Sequence, residues 1–141
     1  MAAEASCTFC RIVAHDLPAA LVFEDRTVVA FLDARPVFKG HVLVVPRVHV
    51  ATLTDLDRAD VGPFFERVQD VAMAMPEALD AHGTFVAMNN VVSQSVAHLH
   101  CHVVPRRRKD GLRGFFWPRQ RYADDAEMAH YAVLLASALD N

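Results

Sequence analysis

Three histidines at strict two-residue spacing, His98-Leu99-His100-Cys101-His102-Val103-Val104, constrain this chain more than any other feature. In an extended strand side chains alternate between faces, so the three imidazoles share one side while Leu99, Cys101 and Val103 point into a core. The rise per residue sets neighbouring histidines roughly 6.5 Å apart, which lets two imidazoles reach one phosphate group from different sides. Three readings suit such a face. One is a strand whose exposed side is histidine-rich by chance, and so strict an alternation of an uncommon residue argues against it. Another is a metal site, since His-X-His on a strand is a zinc geometry. The third is catalysis on a phosphate, with one imidazole attacking and others donating hydrogen bonds. The flanks favour the third. Ser93-Gln94-Ser95 precede the triad with hydroxyls, an amide and backbone N–H groups, and Arg106 with its basic neighbours follows.

The rest of the chain supplies a domain to carry that strand. Its 141 residues fit one compact domain, and 53% are hydrophobic, enough for a core without disulfides. Residues 21–24 and 28–32 read as strands joined by a tight Asp25-Arg26-Thr27 turn, and a third strand runs from His41 to Val45, ended by Pro46. Between about Asp57 and Met75, Val61, Phe64, Phe65, Val68, Val71, Ala72 and Met75 keep helical spacing. Gly62-Pro63 near its start would suit a helix that begins later than Asp57. Gly83 marks a stop. Residues 85–88 and 96–104 read as further strands, the last closed by Pro105. A final helix follows Asp124, which forms an acidic capping box with Glu127. Strands with short turns, a helix, strands and a helix predict an α+β domain with a mainly antiparallel five-stranded sheet and two helices. No glycine-rich phosphate loop of the dinucleotide or P-loop kind is present.

Charge is distributed unevenly. The net charge of −3 gives no general reason to expect nucleic acid or a membrane as partner. Seven bases from Arg106 to Arg121 face one acid, Asp110, so that window is +6 and the remainder −9, which suits an anionic ligand locally. The first six residues lack a basic start and a long apolar run, so no secretory signal is visible. Runs such as Val42-Leu43-Val44-Val45 are too short to cross a bilayer. Three cysteines, two of them close together, are not a disulfide framework, and a reduced cytoplasmic setting is the expectation.

The segment from His98 to Val104 matches the His-φ-His-φ-His-φ-φ motif, and the chain resembles the histidine-triad (HIT) family from about residue 7 to 108. Phe31-Leu32-Asp33, Gly40-His41-Val42-Leu43-Val44-Val45-Pro46-Arg47, Gln94-Ser95-Val96 and Pro105-Arg106 are similar to family landmarks in the same order. The resemblance implies a nucleotide hydrolase or transferase in which His100 attacks the α-phosphate and is transiently nucleotidylated. It implies that a backbone carbonyl holds the proton on the other ring nitrogen, and that His102 donates to phosphate oxygens. Gln94 and Ser95 then contact phosphate and leaving group, Asp33 the ribose hydroxyls, and His41 and Asn89 line the site. Phe31 and Leu32 border the base, with core packing the job of at least one of them. A small-molecule nucleotide, with adenine as leading base, and a homodimer also follow from the resemblance. The loop from Asn89 to Gln94 is about two residues shorter than the family's, and Ser93 stands where glycine is usual, so Asn89 and Asn90 both stay open as the substrate-facing asparagine. Residues 111–118, Gly-Leu-Arg-Gly-Phe-Phe-Trp-Pro, either border the leaving group or form a solvated tail. A nucleotide-binding module with little turnover, a phosphorylase, and a metal-dependent hydrolase using the triad as ligands are the competing functions.

Cys7-Thr8-Phe9-Cys10 has no βαβ context for a redox pair. Two buried structural cysteines are one alternative and zinc is the other, needing two more ligands. Some bacterial members of the family bind zinc through such a pair, a histidine after the third strand and the first triad histidine. Here those positions are Cys7, Cys10, His49 and His98. That zinc would be structural, pinning the N-terminus to the triad strand, and no metal would be needed for the chemistry. His15, His82 and His130 are expected at the surface.

Overall fold

Consecutive rather than alternate apolar residues at 28–31 and 42–45 mark strands covered on both faces. In the computed structural model these two strands are buried along almost their whole length at the centre of one antiparallel sheet. The structure describes residues 4–113 and 118–139. Strands β1 (Leu21–Glu24), β2 (Val28–Leu32), β3 (Val42–Pro46), β4 (Gly83–Ala87) and β5 (Cys101–Arg106) lie in the order β1-β2-β3-β5-β4. Every neighbouring pair is antiparallel, so the expected five-stranded α+β architecture is present. The Asp25 turn forms as its sequence suggests, with Oδ1 accepting the Thr27 and Val28 amides at 2.8 and 2.9 Å.

Alternation assigns the two sheet faces to different helices. Val28, Ala30, Val42, Val44, Cys101 and Val103 cluster with Phe64, Val68, Val71 and Met75 of α2 (Arg58–Leu79). Val29, Phe31, Leu43 and Val45 cluster with Phe9, Cys10 and Ile12 of α1 (Thr8–Val13), a six-residue helix that the sequence does not announce. His102 pairs with Leu43 across β3 and β5, which puts the triad on the α1 face. A groove of about 570 Å³ beside Val42, Val71 and Met75 belongs to the opposite face and so is not part of the histidine site.

Helix α2 begins at Arg58, just after Asp57, and passes through Pro63 and Pro76. Its apolar stripe, buried at Phe64, Val68, Val71 and Met75, outweighs two missing amides. It ends at Leu79 because Asp80 takes a left-handed conformation, φ 55°, four residues ahead of the expected stop at Gly83.

The triad segment departs from the sequence reading. β5 starts at Cys101, so His98 and His100 precede the ladder instead of lying in it. The Leu99 amide donates to the Val50 carbonyl at 2.8 Å, drawing this stretch toward the segment after β3. At the other end β5 continues through Pro105 to Arg106. Pairing with β3 has already ended at Val42↔Val103, so an absent N–H on that side is tolerated.

Residues up to Asp110 form one compact unit and those from Gly111 a second. Within the second, α3 (Asp125–Leu139) opens on the acidic cap: Asp124 Oδ1 accepts the Glu127 amide at 2.8 Å. The return bond reaches one residue further upstream, from the Ala123 amide to Glu127. Residues 114–117, most of the aromatic stretch weighed as a leaving-group border, lie outside the described residues.

Candidate active site and metal centre

A neutral imidazole has one N–H and one lone pair, so the partner of one nitrogen decides what the other can do. His100 Nδ1 lies 2.8 Å from the His98 carbonyl oxygen. A carbonyl only accepts, so Nδ1 carries the proton and Nε2 presents a lone pair. His100 is 3% exposed, with the Phe9 ring edge-on at 5.0 Å and the His102 ring at 5.1 Å.

The same accounting runs through His41 to His102. The Val37 amide donates to His41 Nδ1 at 3.1 Å, which puts the His41 proton on Nε2. His41 Nε2 stands 3.0 Å from His102 Nδ1, so His41 donates and His102 keeps its proton on Nε2. Burial, reinforced by the neighbouring His100 and His41, pushes His102 down to about 4. Burial also lowers His41, against the opposing pull of Asp33. Asp33 Oδ2 is 3.7 Å from His41 Nε2, a polar contact to a neutral ring rather than an ion pair. Asp33, His41 and His102 are close enough to suit a metal by distance alone. In this arrangement His41 turns a proton into the cluster and not a lone pair, which favours a hydrogen-bond relay.

Asp33 also accepts the Arg35 amide through Oδ1 at 2.9 Å and remains part-exposed. Phe31 is a core residue, edge-on to Phe9 at 5.4 Å, whereas Leu32 is 40% exposed. The loop before the triad is tied down by its own side chains. Gln94 donates to the Ala51 carbonyl at 2.6 Å and accepts the Val91 amide at 3.1 Å, so both ends of its amide shape the loop. Asn90 accepts the Leu53 amide at 2.7 Å, anchoring the loop to the 3₁₀ turn Leu53–Asp55. Asn89 bridges its own loop through the Ser93 carbonyl at 3.2 Å. Val91 and Ser93 take φ of 71° and 61° without being glycine. These are strained values, severely so for a β-branched residue. Ser95 is exposed at the end of the loop.

Cys7, Cys10, His49 and His98 converge, all buried, with their ligand atoms within 4.8 Å of one another. Cys7 Sγ lies 3.4 Å from His98 Nδ1, Cys10 Sγ 3.5 Å from the same atom and 3.2 Å from His49 Nδ1. Tetrahedral zinc with sulfur at ~2.3 Å and nitrogen at ~2.0–2.1 Å requires a sulfur-to-nitrogen separation of about 3.5 Å. The donor set therefore fits zinc in kind, number and spacing. Each histidine is also held from its far side: His98 Nε2 donates to the Pro46 carbonyl at 2.8 Å, and His49 Nε2 lies 3.4 Å from Glu4 Oε2. Burial lowers His98 and raises Cys10. Cys101 belongs to neither site, being buried in the core with its thiol pushed up to about 11. His15, His82 and His130 are exposed as expected.

Three participants have no signal in the triad pattern. Phe9 was visible within the Cys-X-X-Cys stretch, but nothing in that motif says its ring meets His100. Glu4 and the Val37 amide are ordinary in sequence and become relevant through folding.

Known proteins resemble this chain in sequence and fold. The sequence model of the HIT domain matches residues 14–109. Protein hit of Bacillus subtilis is 37% identical over 122 residues, covering 85% of this chain and 83% of that protein. The adenosine 5'-monophosphoramidase hnt1 of Schizosaccharomyces pombe is 35% identical over 118 residues, covering 80% and 84%. The crystal structure of a Zn-bound histidine triad family protein from Mycobacterium smegmatis superposes with a TM-score of 0.73 at 35% identity, covering 96% of this chain and 98% of that one. By the match of the domain and the identity of its relatives, the chain belongs to the HIT family.

Proposed function

We propose that this protein is a nucleotide hydrolase or nucleotidyl transferase that cleaves at the α-phosphate of a nucleotide conjugate through a nucleotidyl-histidine intermediate on His100. The observation that carries the reading is the 2.8 Å bond from His100 Nδ1–H to the His98 carbonyl, which leaves Nε2 as the nucleophile. Nε2 attacks phosphorus, and the bond from phosphorus to the leaving nitrogen or oxygen breaks. His102 Nε2–H donates a hydrogen bond to the leaving atom, which takes up a proton from solvent as it departs. Water then attacks the phosphorus of nucleotidyl-His100, the bond to Nε2 breaks and the water gives up a proton to solvent, yielding a nucleoside monophosphate and restoring the imidazole. Asp33 receives the ribose hydroxyls, His41 fixes the His102 tautomer, and Asn89, Gln94 and Ser95 shape the phosphate side. Adenosine phosphoramidate is the leading substrate, supported by the similarity to a fission-yeast phosphoramidase; dinucleoside polyphosphates are the second class. The enzyme works as a homodimer on this reading. Zinc on Cys7, Cys10, His49 and His98 supplies a structural crosslink.

The test is release of AMP from adenosine phosphoramidate and from a diadenosine polyphosphate by zinc-loaded wild type and His100→Ala. Wild type is expected to turn over and to form an acid-labile nucleotidyl adduct in rapid-quench samples, with neither seen in the folded variant. An active His100→Ala protein sinks the nucleophile assignment. Tight AMP binding with no turnover of either substrate supports a binding module instead.

A further inference from the structure

The nucleophile sits outside the sheet ladder, so something else must hold it. Residues 98–100 precede β5, and the Leu99 amide to the Val50 carbonyl is the backbone tether on this stretch. Two links then run from His100 to the Cys7–Cys10–His49–His98 centre. One is His98 itself, whose ring nitrogen Nδ1 faces both thiols while its carbonyl oxygen holds the His100 proton at 2.8 Å. The other is α1. Phe9 lies between Cys7 and Cys10, and its ring meets His100 edge-on at 5.0 Å and 85°, and His98 at 5.9 Å and 74°. A helix of six residues does not hold its own conformation in water. Its grip on the sheet comes from Phe9, Cys10 and Ile12 and from whatever joins the two cysteines to the two histidines.

We infer that metal occupancy of this centre sets the orientation of the nucleophile, with Phe9 as a positioning residue that transmits it. The inference rests on the reading of His100 as nucleophile. With the metal bound, His98 is fixed at both ends, its carbonyl points at His100 Nδ1, and Phe9 closes one side of the His100 ring. Without it, the four donors are joined by sulfur contacts of 3.2–3.5 Å alone, and both links loosen together. The effect falls on turnover and not on nucleotide binding, because Asp33 and His41 lie in the connection between β2 and β3 and are not among the four donors.

The experiment follows the ring nitrogens of His100 by ¹⁵N NMR beside steady-state AMP release from adenosine phosphoramidate. In zinc-loaded wild type one tautomer, protonated at Nδ1, is expected. Chelation is expected to mix the tautomers and lower kcat on the order of tenfold, with KM moving less than twofold and zinc restoring both. A displacement near 1 Å at a reacting atom costs about 10²-fold, which bounds the effect from above. Phe9→Leu, loaded with zinc and folded, is expected to lower kcat in the same direction with zinc affinity unchanged. If the tautomer and kcat of the chelated, folded protein match the zinc form, the coupling is wrong. If Phe9→Leu keeps full kcat, Phe9 is not its carrier. Should zinc-loaded wild type turn over nothing, the functional reading fails, while the NMR arm still reports whether the metal fixes His100.

Discussion

Removing the hydrogen-bond donor to the leaving group separates this mechanism from one in which the triad only binds phosphate. His102 holds its donated proton on Nε2 because His41 occupies Nδ1 at 3.0 Å, and His41 is oriented by the Val37 amide at 3.1 Å. His102→Ala deletes the donor. Losing one preorganised donor aimed at developing charge costs about 10²–10³-fold, or about 2.7–4 kcal/mol. His41→Phe fills the buried site yet deletes the bond that selects the tautomer. A hydrogen bond nets about 0.5–1.5 kcal/mol, so this variant should lose about 2- to 13-fold, at least a decade less than the first in most of that range. The assay is AMP release from adenosine phosphoramidates of alkylamines and from an adenylate ester with an acidic phenol. An alkylamine cannot leave unprotonated, whereas the phenolate can. The His102→Ala deficit should therefore collapse to below about tenfold on the phenyl ester and persist on the amines. Equal deficits on both leaving groups would show that His102 does something other than assist the leaving group. A His41→Phe deficit as large as that of His102→Ala would refute the relay.

Acid stability follows from the same residues. His41 and His102 are lowered when folded, His102 to about 4, while unfolded histidine titrates near 6.5. Between those values the unfolded chain binds protons that the native one refuses, so stability is complete above pH ~6.5 and falls as pH drops toward ~4. Thermal unfolding from pH 7.5 to 4.5 should show that slope, and a shallower one in His102→Ala; an identical slope removes His102 from the account. Cys10→Ser should cut zinc, counted by elemental analysis of protein purified with zinc, from one per chain to none. Retained zinc would place the metal elsewhere. Phe64 is fully buried beneath the sheet, and Phe64→Ala should cost about 3–5 kcal/mol by urea unfolding, against less than about 1.5 kcal/mol for the part-exposed Phe65→Ala. Comparable losses would mean that α2 packs differently.

The fold was legible where one local signal dominates. Apolar runs at 28–31 and 42–45, the Asp25 turn and the α2 stripe each specify their element with little help from the rest of the chain. Boundaries went astray where tertiary partners decide. Period-two alternation placed His98 and His100 in a strand, yet the Leu99 amide bonds Val50 and delays the ladder to Cys101. Pro105 suggested an end for β5, yet its missing amide falls beyond the reach of β3; α2 likewise carries Pro63 and Pro76 under a stripe of buried side chains. The left-handed Val91 and Ser93 were invisible because no glycine announces them. The four metal donors were legible only through family resemblance, since Cys7 and His98 are ninety-one residues apart.

On the proposed reading the three triad histidines carry one side chain and three different jobs, and the difference lies in what their neighbours can accept or give. His98 gives its Nε2 proton to the Pro46 carbonyl, so Nδ1 faces the thiols with a lone pair. His100 gives its Nδ1 proton to the His98 carbonyl, so Nε2 faces outward with a lone pair. His102 accepts at Nδ1 from His41, so Nε2 faces outward with a proton. On the proposed mechanism, ligand, nucleophile and hydrogen-bond donor thus follow from two carbonyls and one N–H. A period-two motif places the rings but is silent on those three partners, because one of them, the His98 carbonyl, comes from the bend that takes residues 98–100 off the ladder. The other two come from Pro46 at the end of β3 and His41 just before it. Had the alternation continued as a regular strand, the His98 carbonyl would be engaged with or aligned to a neighbouring strand, and not turned to the ring two residues ahead. On the proposed mechanism the irregular start of β5 is part of the chemistry, because it frees one backbone carbonyl to hold the proton on Nδ1 of His100.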